Sequence, residues 1–113
     1  MAEKEDVIKK TYDLLLYIIP QLEKLPRTQK FLLADRIETR ILEILEMFIE
    51  AYYTQRSEKL PILRKVNLEL EKLRYLIRLC HDFKYFNNER YGLVSEKINE
   101  IGKITGGWLK TLG

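Results

Sequence analysis

The chain has 113 residues, of which 46% are hydrophobic and 33% are charged, with only five Gly and three Pro. This length and composition predict one all-α domain spanning residues 1–113 and argue against a strand architecture, which needs more turn-forming residues. One Cys excludes an internal disulfide framework, and one His leaves too few ligands for a cysteine-histidine zinc site. No segment approaches the roughly 20 apolar residues that cross a bilayer, and the N-terminus carries mixed charge, so we expect a soluble, cytoplasmic protein with no membrane association.

The net charge of +3 is unevenly distributed along the chain. Residues 1–58 hold 9 Lys and Arg against 11 Asp and Glu, whereas residues 59–113 hold 11 against 6. The basic character therefore lies in the second half. Because polyanions respond to local fields rather than to the total charge, we expect any phosphate-binding surface there.

The first helix is predicted over about residues 5–25. Pro20 lies inside this segment and removes a backbone donor, which predicts a kink or a break. Pro26 ends the element, because the residue before a proline avoids the α conformation. The residues at helical spacing that predict its buried face are Val7, Ile8, Tyr12, Leu15, Leu16, Ile19 and Leu22.

The second helix is predicted over about residues 28–56, with Thr28 as its N-cap. On a helical wheel one side is apolar and the opposite side is acidic, as is typical of an amphipathic bundle helix. The apolar side comprises Phe31, Ala34, Ile37, Ile41, Ile44, Leu45, Phe48 and Tyr52. The opposite side, called the acidic face below, comprises Asp35, Glu43, Glu46 and Glu50, with Thr39 among them.

The third helix is predicted over about residues 61–85, with Pro61 in its first turn. The predicted buried side comprises Val66, Leu70, Leu73, Leu76, Ile77, Cys80 and Phe83. Five cations, called the basic stripe below, project from the rest of the helix: Arg64, Lys65, Lys72, Arg74 and Arg78. A row of guanidinium groups on one helix is suited to contact phosphates. The alternative interpretation is that these cations form ion pairs within the helix, as between Glu71 and Arg74.

The fourth helix is predicted over about residues 88–110, after two candidate caps at Asn87 and Asn88. Glycines near its end permit close approach of a neighbouring backbone, and Trp108 follows them. We expect this tail to pack onto something, and we expect ring contacts with a partner at Trp108. Short connections between long helices favour antiparallel neighbours, which predicts an up-down-up-down four-helix bundle.

The sequence predicts no catalytic machinery, no metal site and no cofactor. Cys80 and His81 are adjacent in a helix and point about 100° apart, so they cannot act as nucleophile and base. The acidic face lacks the Glu-x-x-His pairs of bundle metal sites and is instead interpreted as a solvated surface or one matched to a partner. Glycine loops for phosphate and serine-nucleophile elbows are also absent, so we expect a binding protein and not an enzyme.

Three stretches of the chain are specific enough to suggest a family: LLLYIIPQLEKLPR, LPRTQKFLLADRIETRILEILEMFIEAYY and LRKVNLELEKLRYLIRLCHDFKYFNNERYGLVSEKINEIGKITGGWLK. Leu73-Arg74-Tyr75-Leu76 and Gly106-Gly107-Trp108-Leu109-Lys110 are their most specific parts. Together they resemble the accessory variability determinant proteins of diversity-generating retroelements. That family belongs with the small four-helix proteins encoded in intervening sequences of ribosomal RNA genes.

The resemblance implies a ring-shaped homopentamer that binds the retroelement reverse transcriptase and nucleic acid. The nucleic acid is expected to be template RNA, with DNA or an RNA/DNA hybrid as alternatives, and the role is support of mutagenic cDNA synthesis. Within this picture the basic stripe is the predicted nucleic-acid surface. The acidic face and Trp108 are the predicted contacts with other subunits or the partner. The alternative is an intervening-sequence-type assembly module that has no reverse transcriptase partner.

Overall fold

The computed structural model describes residues 2–112, with side chains from residue 6 onward. This part of the chain is helical and contains no strand. Four long helices make up most of it: α1 (Ala2–Leu22), α2 (Asp35–Tyr53), α3 (Lys59–Asp82) and α4 (Asn88–Leu112). A helical turn at Arg27–Gln29 and a π-helical segment at Lys30–Ala34 lead into α2, and a 3₁₀ turn at Arg56–Glu58 leads into α3.

The helices pack as a four-helix bundle. Each packs against its neighbours in the sequence, and α1 also packs against α4, which closes the arrangement. Contacts between α1 and α4 fit antiparallel order: Lys10 pairs with Glu100 at 3.1 Å, and further along α1 the Tyr17 ring centroid lies 5.9 Å from Nζ of Lys97, earlier in α4. The connections between α1 and α2 and between α3 and α4 therefore share one end of a body measuring 44 × 24 × 20 Å.

The core is a continuous cluster of aliphatic side chains with few aromatic rings. Phe48 and Phe86 are its largest fully buried residues, at 0% and 1% exposure. Thr11 and Thr105 are also buried, and each hydroxyl donates to the carbonyl four residues earlier, so neither leaves an unsatisfied polar group. No helix in residues 2–112 is long and apolar enough to cross a membrane.

Three details of the helix boundaries differ from the predictions. α1 runs through Pro20 without a break and ends at Leu22; Pro20 and Leu16 are both exposed, so water can serve the Leu16 carbonyl that the proline leaves without a helical donor. Thr28 does not cap the second helix: the residue before the helical turn is Pro26, and no side chain caps it. The π-helical segment after this turn was not predicted; in it the Asp35 N–H donates to the Lys30 carbonyl five residues earlier.

Several apolar residues predicted to be buried lie on the surface. Tyr12 and Leu16 are 54% and 60% exposed, Phe31 is 76% exposed, and Phe83 is 62% exposed. At 100° per residue, the first two lie more than about 90° around α1 from the centre of its buried face, so they point away from the neighbouring helices. Phe31 belongs to the π-helical segment, whose wider turn rotates it away from the core. Phe83 follows the last residue of α3 and so does not continue that helix's face.

Candidate nucleic-acid interface

Three of the five cations of the basic stripe project into solvent from α3. Arg64 and Lys65 are exposed, and no described carboxylate forms an ion pair with either. The Arg78 side chain is 65% exposed, and its Nε lies 3.8 Å from Asp82 Oδ2, one turn later. An exposed pair at this distance contributes little to stability and leaves the guanidinium open to a second anion.

Arg74 does not project outward as predicted but lies in the groove between α3 and α4. Its Nε donates to Asn99 Oδ1 on α4 at 3.3 Å, and its Nη1 donates to Glu71 Oε1 at 3.1 Å. A Cβ atom added to Gly102 would lie 2.8 Å from Arg74 Nη2, so the absence of a side chain at Gly102 makes room for the guanidinium. The pairing with Glu71, the alternative left open by the sequence, is the arrangement observed for this arginine.

Lys72 belongs to a charge cluster between α2 and α3. Its Nζ lies 3.1 Å from Oε2 of Glu69, whose other carboxylate oxygen accepts from Arg40 of α2. Glu69 is only 6% exposed. Burial by itself raises the pKa of Glu69, but the hydrogen bond from Lys72 and the charges of Arg40, Lys72 and Lys65 outweigh it and hold the pKa below its ordinary value. Glu69 therefore stays ionised, and it fixes the position of Lys72.

Apolar side chains lie among the cations on the outer face of α3. Leu68, Tyr75 and Leu79 are 55%, 61% and 41% exposed, and their spacing places them on the same side of the helix as Arg64 and Arg78. Their exposure was not predicted, although a helical wheel of the sequence places all three opposite the core face. The face thus combines cations with surface that can pack against a sugar, a base or a protein.

The acidic face lies where it was predicted, on the outside of α2. Its four carboxylates, Asp35, Glu43, Glu46 and Glu50, are all exposed. Leu42, Ile49 and Tyr53 lie beside them at 42%, 40% and 81% exposure. α2 and α3 are adjacent in the bundle, so one protomer presents an acidic and a basic surface on neighbouring helices.

Trp108 lies in the core rather than at the surface, contrary to the prediction of an exposed ring that contacts a partner. It is 2% exposed, and the Lys59 Nζ lies 5.6 Å from its ring centroid. Lys59 is 8% exposed and donates to the Ala51 and Tyr52 carbonyls, which belong to the C-terminal end of α2. The C-terminal part of α4 therefore packs onto its own bundle. It lies against Lys59, which donates hydrogen bonds to carbonyl groups at the C-terminal end of α2.

The described residues give no sign of catalytic chemistry. Burial raises the pKa of the Cys80 thiol to about 12, so the thiol stays protonated and fills space in the core. His81 stacks on Tyr91 with ring centroids 4.3 Å apart, and its Nε2 lies 2.7 Å from Asn88 Oδ1, away from Cys80. Within residues 2–112 no three His, Cys, Asp or Glu side chains are grouped so that they could hold a metal ion.

Comparison with known proteins identifies the family. No curated protein and no solved structure matches the chain. A model described as bAvd-like matches residues 7–112, which is nearly the whole chain. This confirms the resemblance to accessory variability determinant proteins, a family of accessory, non-catalytic proteins that suggests a role alongside the reverse transcriptase of a diversity-generating retroelement. The chain belongs to the bAvd-like family.

Proposed function

We propose that this protein is the nucleic-acid-binding accessory subunit of a diversity-generating retroelement. It binds the retroelement reverse transcriptase and the template RNA in the cytoplasm, and it supports mutagenic cDNA synthesis without catalysing it. Family membership supports the accessory role. The observation that carries the RNA-binding part is the outer face of α3, where exposed Arg64, Lys65 and Arg78 surround exposed Leu68 and Tyr75.

This face suits RNA better than it suits a small anion. Its cations are spread along several helical turns, and each turn rises about 5.4 Å, so the row matches a chain of phosphates instead of one ion. The apolar residues between the cations offer surface to sugars and unpaired bases. The proposed contacts are with the RNA phosphate backbone and with the exposed faces of its sugars and bases. We therefore expect an RNA affinity that depends strongly on salt concentration and weakly on RNA sequence.

The proposed assembly is a homopentameric ring. A protomer charge of +3 is modest for a nucleic-acid-binding protein. A closed ring repeats the basic stripe around an axis, so that one long RNA contacts several copies and the contacts reinforce one another. Exposed apolar side chains away from α3, such as Tyr12 and Leu16 of α1 and Leu42 and Ile49 of α2, give the subunits or the reverse transcriptase surface to bury, next to the acidic face.

Charge reversal tests the RNA-binding part. The stripe variant, Arg64→Glu/Lys65→Glu/Arg78→Glu, leaves out Arg74 and Lys72 because both make structural contacts. The control variant, Lys9→Glu/Lys103→Glu/Lys110→Glu, changes the net charge equally at exposed positions on α1 and α4. We expect the stripe variant to bind a labelled template RNA at least roughly tenfold more weakly, with a salt slope reduced by about 2, and the control to change little. Equal losses in both variants would show that only total charge matters.

The second candidate is an assembly module without a reverse transcriptase partner. It is favoured by the juxtaposition of an acidic α2 and a basic α3, each with exposed apolar residues, because the two faces of neighbouring subunits can dock against each other. Sedimentation of the protein alone across a salt series separates the two functions. Subunits that dissociate as salt is added, together with no measurable RNA binding, would favour the assembly module.

A further inference from the structure

The turn between α3 and α4 carries a stacked pair of aromatic rings on the surface. Phe83 and Tyr85 have ring centroids 5.8 Å apart and an interplanar angle of 21°. Phe83 is 62% exposed and Tyr85 is partly buried. The bundle core gains little from a phenylalanine held so far in solvent, so this pair presents a flat apolar surface to something outside the protomer.

The backbone holds this pair in a defined position. The Tyr85 N–H donates to the Cys80 carbonyl at 2.8 Å and the Lys84 N–H donates to the His81 carbonyl at 2.9 Å, which is the Schellman arrangement at a helix C-terminus. Phe86, 1% exposed, anchors the turn in the core. The rings therefore sit on a fixed turn, which lowers the entropy lost when a ligand stacks on them.

Lys84 occupies a position in this turn that favours glycine. Its φ is 66°, and it is the only non-glycine residue with positive φ among the described residues. Glycine would satisfy the backbone at lower cost, so the chain retains a cation here at the expense of strain. Lys84 lies between the two stacked residues in the sequence and its side chain is exposed, so its ammonium is free to reach a phosphate attached to whatever stacks on the rings.

The same turn carries a depression lined largely by hydrogen-bonding groups. The depression has a volume of about 540 Å³ and is lined by His81, Asp82, Lys84, Phe86, Asn87 and Asn88. Asn87 Oδ1 accepts from the Arg90 N–H and Asn88 Oδ1 lies 2.7 Å from His81 Nε2, so the two amide NH2 groups remain to donate to acceptors on the edge of a nucleobase. Asp82 is the one acidic group in the lining, and it lies 3.8 Å from Arg78, the last cation of the basic stripe.

We propose that the α3–α4 turn is a binding site for an unpaired nucleotide of single-stranded RNA. The base stacks on Phe83 and Tyr85, and Lys84 contacts its phosphate. The site continues the basic stripe beyond Arg78, so it rests on the proposed function and adds a preference for single strands to it. A protein partner fits less well, because the exposed apolar area is one ring pair flanked by cations, whereas the centres of protein interfaces are broader and poor in charge.

The test compares single-stranded with double-stranded RNA. A labelled 20-nucleotide oligouridylate, which cannot pair with itself, and an RNA duplex of equal length are titrated with wild type and Phe83→Ala. We expect the variant to bind oligouridylate roughly 5- to 100-fold more weakly, the loss of one stacking contact, and the duplex within about twofold of wild type. The salt slope should not change, because no charge is removed. Phe83→Trp should restore binding.

Tyr53→Ala provides the matched control. Tyr53 is 81% exposed, and it lies at the end of α2, at the other end of the bundle from the α3–α4 turn. This variant should bind both RNAs as wild type does. Thermal melting checks that both variants fold. We expect them to fold because the Phe83 and Tyr53 side chains are largely exposed.

The outcomes separate this inference from the proposed function. If wild type binds RNA and Phe83→Ala binds oligouridylate equally well, the stacking site is wrong and the proposed function stands. An equal loss for oligouridylate and duplex would also overturn stacking. Loss of reverse transcriptase association with unchanged RNA affinity would assign the turn to a protein contact instead. If wild type binds neither RNA, the proposed function fails and the site fails with it.

Discussion

Replacing Glu69 by Gln is expected to destabilise the protein by about 2 kcal/mol at neutral pH. The substitution keeps the size of the side chain but removes the only negative charge in the Arg40–Glu69–Lys72 cluster. Lys72 is 49% exposed and can return to water at little cost. Arg40 is 22% exposed, and its Nε is buried with no described hydrogen-bond partner, so its guanidinium loses an anion that water replaces poorly.

The effect has a defined dependence on pH. The pKa of Glu69 is lower in the folded protein than in the unfolded chain, so the carboxylate contributes stability above the unfolded value, near 4.5, and that contribution is lost as the pH falls through the folded value. Below this range wild type carries a protonated Glu69, which resembles Gln. The difference between wild type and the variant should therefore be largest at pH 7 and should shrink toward pH 3.

Urea unfolding of wild type and Glu69→Gln at pH 7 and pH 3 measures this difference in the free energy of unfolding. In thermal melting at pH 7, we expect the Tm of the variant to be lower by roughly 8 °C. Glu71→Gln is the matched control: Glu71 is two residues away, 58% exposed and paired with Arg74, so its removal should cost less than about 1 kcal/mol. Equal losses of stability for the two substitutions, or a loss for Glu69→Gln that is undiminished at pH 3, would contradict a stabilising role for ionised Glu69.

Two other substitutions and one labelling experiment test separate parts of the structure. Lys59→Met removes the donor to the Ala51 and Tyr52 carbonyls while it keeps the apolar stem, and we expect a loss of about 1–3 kcal/mol in urea unfolding; an unchanged midpoint would show that water serves the end of α2 equally well. Lys84→Gly relieves the positive φ and should raise stability by about 1 kcal/mol, while oligouridylate affinity falls; a destabilised variant would contradict the strain. Cys80 should not react with a thiol reagent in the native protein at pH 8, because burial raises its pKa to about 12, and should react on unfolding; prompt native labelling would show that the site opens.

The long helices were predictable because their apolar residues repeat at the helical period over many turns. Ile37, Ile41, Ile44 and Phe48 leave α2 one orientation that buries all of them, and the structure has that orientation. The acidic face follows from the same pattern, since whatever opposes the core is exposed. The predicted bounds of the third helix, 61–85, differ from Lys59–Asp82 by two or three residues at each end, as expected where capping and not periodicity decides.

The missed features depend on contacts between helices. Arg74 was assigned to the outer sector of α3, but it follows buried Leu70 by four residues and so lies at the edge of the core face, where Gly102 and Asn99 of α4 leave a groove for it. Trp108 lies near a chain end, where sequence position suggests exposure, yet it meets Lys59. The buried contacts of Glu69 and Lys59 could have been predicted from the sequence. Both are charged residues on the core side of α3, and a charge buried there needs a hydrogen-bonding or ionic partner.

The π-helical segment had no signal in apolar spacing. A π-helical turn widens the chain by one residue, so Lys30–Ala34 interrupts the pattern that places residues on the core face. Phe31 was therefore predicted to be buried and is exposed. The stacking of Phe83 on Tyr85 was not predicted, because Lys84 holds the positive φ of the turn at a position where glycine is the residue that indicates such a turn.

The most direct test of the central proposal is cDNA synthesis reconstituted from the reverse transcriptase of the same retroelement, its template RNA and this protein. We predict that cDNA forms with wild type and with Lys9→Glu/Lys103→Glu/Lys110→Glu, and that it is lost without the protein or with Arg64→Glu/Lys65→Glu/Arg78→Glu. Equal cDNA yield in the absence of the protein would contradict the accessory role. Full activity of the stripe variant would contradict the assignment of RNA binding to the outer face of α3.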